Sequence, residues 1–461
     1  MSPPLETFTN CFQGLLPAQL FTCSLDGVPN AAYLSHVEYV DPEHVALSFQ
    51  FFNKSRRNIA ENPLALVSLL DPDTGQGWGL QLRYERSEES GPLFDRMALR
   101  IEAIASYCGL KGIFKLRAAD VYRVLSIGPL AEECGSPRAG ISQHASGLDP
   151  VFTVRALQDL SDRINGADTL DSLVDSILAG LDESFGFRNS MILVPSEQAG
   201  VLVTLATRGY GESGVGAEVR LGEGIVGMVA EARKPIRISG LMRGMLYALA
   251  TSRAASASDS VPGRRVPLPG LPQPESQLGV PLLVRGELVG VLCLESEIPY
   301  RFHEEDRKTI ELLGRYLAIA IQNMQLQERT ADSGEPPAEE REPAGIPACP
   351  ATPAVAHQIA YYASDECILM DGEYLIRGLP ANVLWRLLNI RSATGREEFT
   401  NRELRLDKTL NLPQWKDNLE SRLLLLRRRL EQKSPDLRIV PRCRGQFVVQ
   451  VRGTLSLSTH P

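Results

Sequence analysis

The chain has no apolar run long enough to cross a bilayer. Its first residues, MSPPLETFTNCFQGLL, lack a basic region followed by an apolar core. No signal peptide or membrane span is therefore expected, and a cytoplasmic chain is the default. Cysteine is sparse, 8 in 461 residues, and no Cys-x-x-Cys pair occurs. That spacing argues against a zinc or iron–sulfur site and fits unpaired thiols in a reducing compartment. No nucleophile–base constellation is readable, so no catalytic residue can be named. A net charge of -8 does not suggest nucleic-acid binding along the whole chain. At 461 residues the chain exceeds one core, and about three domains are expected.

What is present changes character along the chain. Residues 1–130 read mostly as short strands: 21–24, 30–36, 45–50, 64–70, 80–84, 97–107 and 119–127. Asp26-Gly27 makes a turn, and a short helix opens near residue 53 and closes at Asn62-Pro63. Many short strands with one small helix predict a closed or partly closed barrel. Asn53, Lys54, Ser55, Arg56 and Arg57 stand at the strand-to-helix turn. Positive charge, hydrogen-bond donors and a helix N-terminus together suit a phosphate. The same residues also suit a solvated helix start that binds nothing.

The run FFNKSRRNIAENP after a strand resembles the flavin-binding split-barrel family that includes pyridoxamine 5'-phosphate oxidase. The resemblance implies that Lys54, Ser55, Arg56 and Arg57 contact the phosphate of FMN. Haem, which some split barrels bind, is the alternative cofactor. Segment 30–36 has no Arg, and the oxidase's Trp- and Arg-containing closing segment is missing. Pyridoxamine phosphate oxidation is therefore not implied.

Residues 131–150 are polar, contain Gly, Ser and Pro, and read as a linker. From 151 to 328 the pattern is two helices broken near Gly166, then strands at 190–195 and 201–207. A Gly-Glu-Gly turn opens a helix over 225–231, and a strand follows at 236–238. A low-complexity stretch at 251–276 precedes a hairpin about Gly286-Glu287 and a helix over 303–328. The turn from Gly222 to Gly227 and the hairpin VPLLVRGELVGVLCLES resemble a GAF domain. That family implies an antiparallel sheet with helices, a small-molecule ligand and pairing with a second copy. Tyr210, Met228 and Met242 either line a pocket or pack as core. Cys293 falls inside a strand, which disfavours attachment of a tetrapyrrole there. The last helix has an apolar face that packs on its own domain or forms a homodimer seam.

Residues 329–357 are acidic and rich in Ala and Pro, the composition of a tether. From His357 onward the chain carries 17 Lys and Arg against 12 Asp and Glu, a basic segment in an acidic protein. Asp371-Gly372 marks a hairpin. A helix is expected over 381–390, and Thr400 with Glu403 has capping-box spacing before another. A third helix has Leu419, Leu423, Leu426 and Leu430 on one face, with Ser421, Arg422, Arg428 and Arg429 expected on the far side. Two short strands close the segment. DGEYLIRGLP, FTNREL, LRRRLEQ and RCRGQF in this order resemble the winged helix of response-regulator output domains, over residues 358–455. By position, the resemblance implies base-side roles for Asn418, Ser421 and Arg422. It implies backbone or wing roles for Arg427, Arg442 and Arg444. Two features depart from it. Leu423 to Leu426 replace the usual polar residues, and Gln446 follows Gly445 where Tyr is usual.

The expected architecture is multidomain α+β: split β-barrel, GAF α/β sandwich and winged helix-turn-helix. The expected function is a ligand- or redox-sensing, one-component transcriptional regulator that binds duplex DNA as a homodimer. The alternatives are an FMN-dependent oxidoreductase regulated by the GAF domain, and a signalling scaffold whose winged helix binds protein through residues 423–426.

Overall fold

The computed structural model describes residues 3–8, 11–13, 18–49, 53–71, 76–107, 115–130, 150–196, 200–211, 214–239, 270–272, 274–299, 301–333, 356–410, 419–443 and 445–460. Three modules follow one another. None of their described helices is long and apolar enough to cross a membrane.

The first module comprises β1 (Ala18–Cys23), β2 (Pro29–Leu34), β3 (Val37–Asp41), β4 (His44–Phe49), α1 (Asn53–Glu61), β5 (Leu64–Leu70), β6 (Gly77–Glu88), α2 (Pro92–Tyr107) and β7 (Ala118–Pro129). Among the described residues its seven strands run β2-β1-β5-β6-β7-β4-β3, every neighbour antiparallel. Leu20, Leu34, Leu47, Val67 and Leu80 form a core with Tyr122 on one face. Ala46, Ala119 and Val121 meet Leu93 and Met97 of α2 on the other.

Residues 97–107, expected as a strand, are helical. Met97, Leu99, Ile101 and Ala103 alternate as a strand would, yet Leu93, Met97 and Ile101 also recur at a helical spacing of four. Pro92 at the helix start, after Gly91 with φ 105°, decides between the two periods.

The second module holds α3 (Pro150–Asn165), α4 (Leu170–Phe185), β8 (Asn189–Pro195), β9 (Val201–Arg208), β10 (Glu218–Arg220), α5 (Gly224–Ala232), β11 (Ile236–Ser239), β12 (Ser276–Val284), β13 (Glu287–Ser296) and α6 (Glu304–Ser333). Its sheet runs β10-β9-β8-β13-β12-β11. Leu160, Leu173, Ile177, Leu313 and Leu317, from α3, α4 and α6, share one core with Ile192, Val280 and Leu292 of the sheet. Ile225 and Val229 of α5 pack with Met191 and Cys293 in another. α4 starts in a reciprocal capping box between Thr169 and Ser172. Most of the low-complexity stretch 251–276 lies outside the described residues.

The third module has β14 (Ala356–Tyr362), β15 (Cys367–Met370), β16 (Glu373–Arg377), α7 (Leu379–Thr394), β17 (Glu398–Thr400), α8 (Asn401–Leu406), α9 (Leu419–Lys433), β18 (Leu437–Cys443), β19 (Gln446–Val451) and β20 (Thr454–His460). A sheet of order β16-β15-β14-β20 lies before the helices in sequence, except that β20 returns to pair parallel with β14. A smaller antiparallel sheet, β17-β19-β18, joins the strand between α7 and α8 to the hairpin that follows α9. β20 was not expected from the sequence. Its Leu455 and Leu457 pack against the core while Ser456 and Ser458 alternate with them, the period of a half-buried strand.

Candidate functional site

Three places bear on function, one in each module. The first is the start of α1. Lys54, Arg56 and Arg57 are exposed there, and Ser55 is buried. The Ser55 hydroxyl accepts a 2.9 Å hydrogen bond from Asn30 Nδ2. The Arg56 guanidinium lies 4.4 Å over the Phe49 ring. The side chain of Asn53 lies outside the described residues. Behind this start a small cavity of about 10 Å³ is lined by Ser55, Arg56, Asp120 and Tyr122. Burial raises the Asp120 carboxyl above its usual range, against its hydrogen bond with Ser87 and the charge of Arg56.

The exposed cations and the helix N-terminus fit a phosphate. The cavity does not fit a flavin ring, since ligand pockets run to several hundred Å³.

The second place is on the sheet of the middle module. Gln277 and Glu295 are register partners on β12 and β13, and Gln277 Nε2 donates to Glu295 Oε1 at 2.5 Å. The Leu271 amide donates to the other carboxylate oxygen at 3.1 Å. Burial raises the Glu295 carboxyl despite these bonds. The Tyr210 hydroxyl is buried beside it and is raised by burial and by the Glu295 charge. Cys293, two residues along β13, is raised by burial and by the same charge. A thiol held protonated in this way is a poor nucleophile at neutral pH. Ser239 Oγ, on β11, has no hydrogen-bond partner among the described residues. Of the pocket candidates, Met228 is core at 2% exposure, Tyr210 packs on that core, and Met242 lies outside the described residues.

The third place is α9. Ser421, Arg422 and Arg429, expected on an exposed face, are buried at 1%, 2% and 5% exposure. The physical reason is a second packing partner: α9 lies between its own module and the middle one. Arg422 Nη2 donates to the Pro195 carbonyl at 2.6 Å. Arg427 pairs with Asp171, and Arg428 pairs with Asp171 and Asp175 at 2.5 and 2.6 Å. Arg429 donates to the Leu375 carbonyl, and its stem passes Gly216, where a Cβ would stand 3.2 Å from Arg429 Cδ. Arg442 is on the β18–β19 hairpin, half-exposed, and pairs with Glu398. Asn418 and Arg444 lie outside the described residues.

The structure thus brings Ser421, Arg422 and Arg427 together against the middle module and leaves Arg442 apart. Sequence reasoning missed Asp171 and Asp175. Asp171 in the first turn of α4 reads as an acid stabilised by the helix dipole, and its partners lie more than two hundred residues away.

The match to a known family falls on the middle module. Residues 167–322 match the family model of the GAF domain. These residues are a GAF domain. Among solved structures, the chain is similar to the GAF domain of an Acinetobacter phosphoenolpyruvate-protein phosphotransferase, at 21% identity and a TM-score of 0.32. That match covers 39% of this chain and 97% of the other. It is also similar to the free methionine-R-sulfoxide reductase of Neisseria meningitidis, at 17% identity and a TM-score of 0.30, covering 40% and 98%. An FMN-binding protein from Syntrophomonas wolfei subsp. wolfei matches at 16% identity and a TM-score of 0.24, covering 28% and 89%. No curated protein matches the chain.

The GAF domain is in contact with both neighbours. α2 of the first module lies on α5, and Ser106 Oγ bridges the Gly-Glu-Gly turn. It donates to the Gly222 carbonyl at 3.1 Å and accepts from the Gly224 amide at 3.2 Å. Arg96 and Arg100 of α2 pair with Glu38, and Arg237 of β11 pairs with Glu304.

Proposed function

We propose that this protein is a sensor-regulated DNA-binding protein, with the GAF domain as sensor and the C-terminal module as output. The observation that carries the reading is the order of the third module. A sheet, three helices and an antiparallel hairpin succeed one another, and the hairpin pairs with the strand ahead of α8. This is the arrangement in which a third helix enters a major groove and a wing follows the backbone. Arg438 and Arg442 on the hairpin and the arginines of α9 supply cations for phosphates. The buried Tyr210–Gln277–Glu295 cluster supports a small polar ligand in the GAF domain. The Glu295 carboxyl, raised by burial, is a group such a ligand would satisfy.

Fluorescence anisotropy of the full chain on duplex DNA tests the reading. Binding weakens as salt rises above ~50 mM, and Arg442→Ala lowers the slope of log K against log salt by about one. A chain that binds no duplex at ~50 mM salt, whether α9 is covered or released, overturns it.

The exposed cations of α1 favour a second, compatible reading: the first module holds FMN by its phosphate on Lys54, Ser55, Arg56 and Arg57. Bound there, the flavin would supply redox chemistry, and these residues would anchor and orient it. Equilibrium dialysis with FMN checks this. Arg56→Ala is expected to weaken uptake about tenfold or more, and a wild-type chain that retains no FMN removes the reading.

The reading also includes pairing with a second copy through α6. Leu312, Tyr316, Ile319 and Leu326 are exposed and follow a four-three-seven spacing, the period of a two-helix seam.

A further inference from the structure

A helix on the surface of a small domain needs one apolar stripe, and α9 has two. Leu419, Leu423, Leu426 and Leu430 make the first, with the spacing that packs the helix on α7 and β18 of its own module. Leu424 and Leu425 lie on another face, three and four residues after Ser421 and ahead of Arg428. They are 5% and 4% exposed. Leu425 and Val203 of β9 line one cavity between the modules, and Leu424 lines another with Leu170 and Asp171 at the start of α4. The apolar run that departs from a groove-reading helix is thus explained by what covers it.

We propose that the GAF domain clamps α9 shut, with Asp171 and Asp175 of α4 standing in for DNA phosphates. This rests on the DNA-binding reading given above and adds its regulation. A guanidinium presents the same fork of donors to a carboxylate and to a phosphate. Arg427 and Arg428 therefore cannot serve Asp171 and a DNA backbone at once. Arg422, one of the positions that face bases if the resemblance holds, spends a donor on the Pro195 carbonyl. Beside it, Gln325 of α6 donates to the Ser421 hydroxyl at 3.4 Å. In this arrangement α9 is unavailable to a groove, while Arg442 on the hairpin remains half-exposed. A closed ground state of this kind yields to any ligand that binds the GAF domain better when α9 has left it.

The test compares the full chain with Asp171→Asn/Asp175→Asn and with Asp182→Asn. Asp182 lies on the same helix but pairs with Arg208 inside the GAF domain, so it controls for loss of charge. Two quantities are read: amide hydrogen exchange across residues 419–433, and affinity for a mixed-sequence duplex at fixed salt. The double variant is expected to exchange faster in α9 and to bind duplex about tenfold tighter, with Asp182→Asn like the wild type. Unchanged exchange in α9 overturns the clamp. So does a wild type that binds duplex as tightly as the double variant, an outcome that leaves DNA binding standing. Faster exchange with no duplex bound by any form overturns the DNA-binding reading and the masking together. Should the double variant fail to fold by circular dichroism, Asp175→Asn alone removes one arm of the same contact, leaves the α9 cations intact and is read in the same way.

Discussion

Two side chains contribute to the response to pH with opposite signs. His357 on β14 sits between two carboxylates, with Nδ1 2.6 Å from Asp371 and Nε2 3.2 Å from Asp436. Only the protonated ring donates to both. The hydrogen bond with Asp371, then that with Asp436, raises its pKa above 6.5, against burial. A raised histidine contributes stability that is fully present below about pH 6.5 and is lost as pH rises through the folded value. The thermal midpoint of the C-terminal module is therefore expected to fall above pH 6.5 in the wild type, and to lose that part of its pH dependence in His357→Gln. Calorimetry between pH 5.5 and 8.5 (roughly the window for histidine titration) checks it.

Glu38 behaves with the opposite sign. Burial raises its carboxyl, but the hydrogen bond and charge of His36, then Arg100 and Arg96, outweigh burial and bring it down to about 2. Its contribution is present above the usual 4.5 and is lost as pH falls towards 2. Glu38→Gln takes a buried carboxylate away from His36, Arg96 and Arg100 and is expected to cost about 3 kcal/mol in urea unfolding. A loss below about 1 kcal/mol would show that the arginines find other partners.

At the scale of elements, the Gly222–Gly227 turn of the GAF domain tolerates little change. Gly222 and Gly224 have φ of 73° and 58°, and a Cβ at Gly227 would fall 2.2 Å from the Arg220 carbonyl. Gly227→Ala has backbone, not a flexible side chain, to displace. It is expected to destabilise by about 2 kcal/mol or more and to loosen α5, read as faster amide exchange over residues 224–232. Ser106 of α2 bonds the Gly222 carbonyl and the Gly224 amide of this turn, so the same variant is expected to weaken the contact between the first module and the GAF domain. The turn was legible in the sequence because it is a local pattern of glycines. The helical state of α2 was not, because its residues satisfy both periods and the choice was made at Pro92.

For the whole molecule, the expected homodimer depends on whether the α6 stripe meets its own copy. Tyr316→Glu with Ile319→Glu is expected to shift sedimentation towards monomer by placing charge in the seam, and to leave the thermal midpoint within about 2 °C because both positions are exposed. No change in sedimentation would place any self-association elsewhere.

The GAF domain and most strands and helices followed from the sequence alone. Periodicity, turn glycines and caps act within a few residues and can be read there. So could the cations at α1, whose exposure agrees with a helix start rich in charge. The tertiary structure alone decided what α9 touches. Its arginines read as an exposed face because distance along the chain hides Asp171, Asp175 and Pro195. Its extra leucines read as an anomaly because their partners belong to another module. Burial is a property of the assembled chain, and a helix covered on two sides cannot be told from one covered on one side until both neighbours are in place.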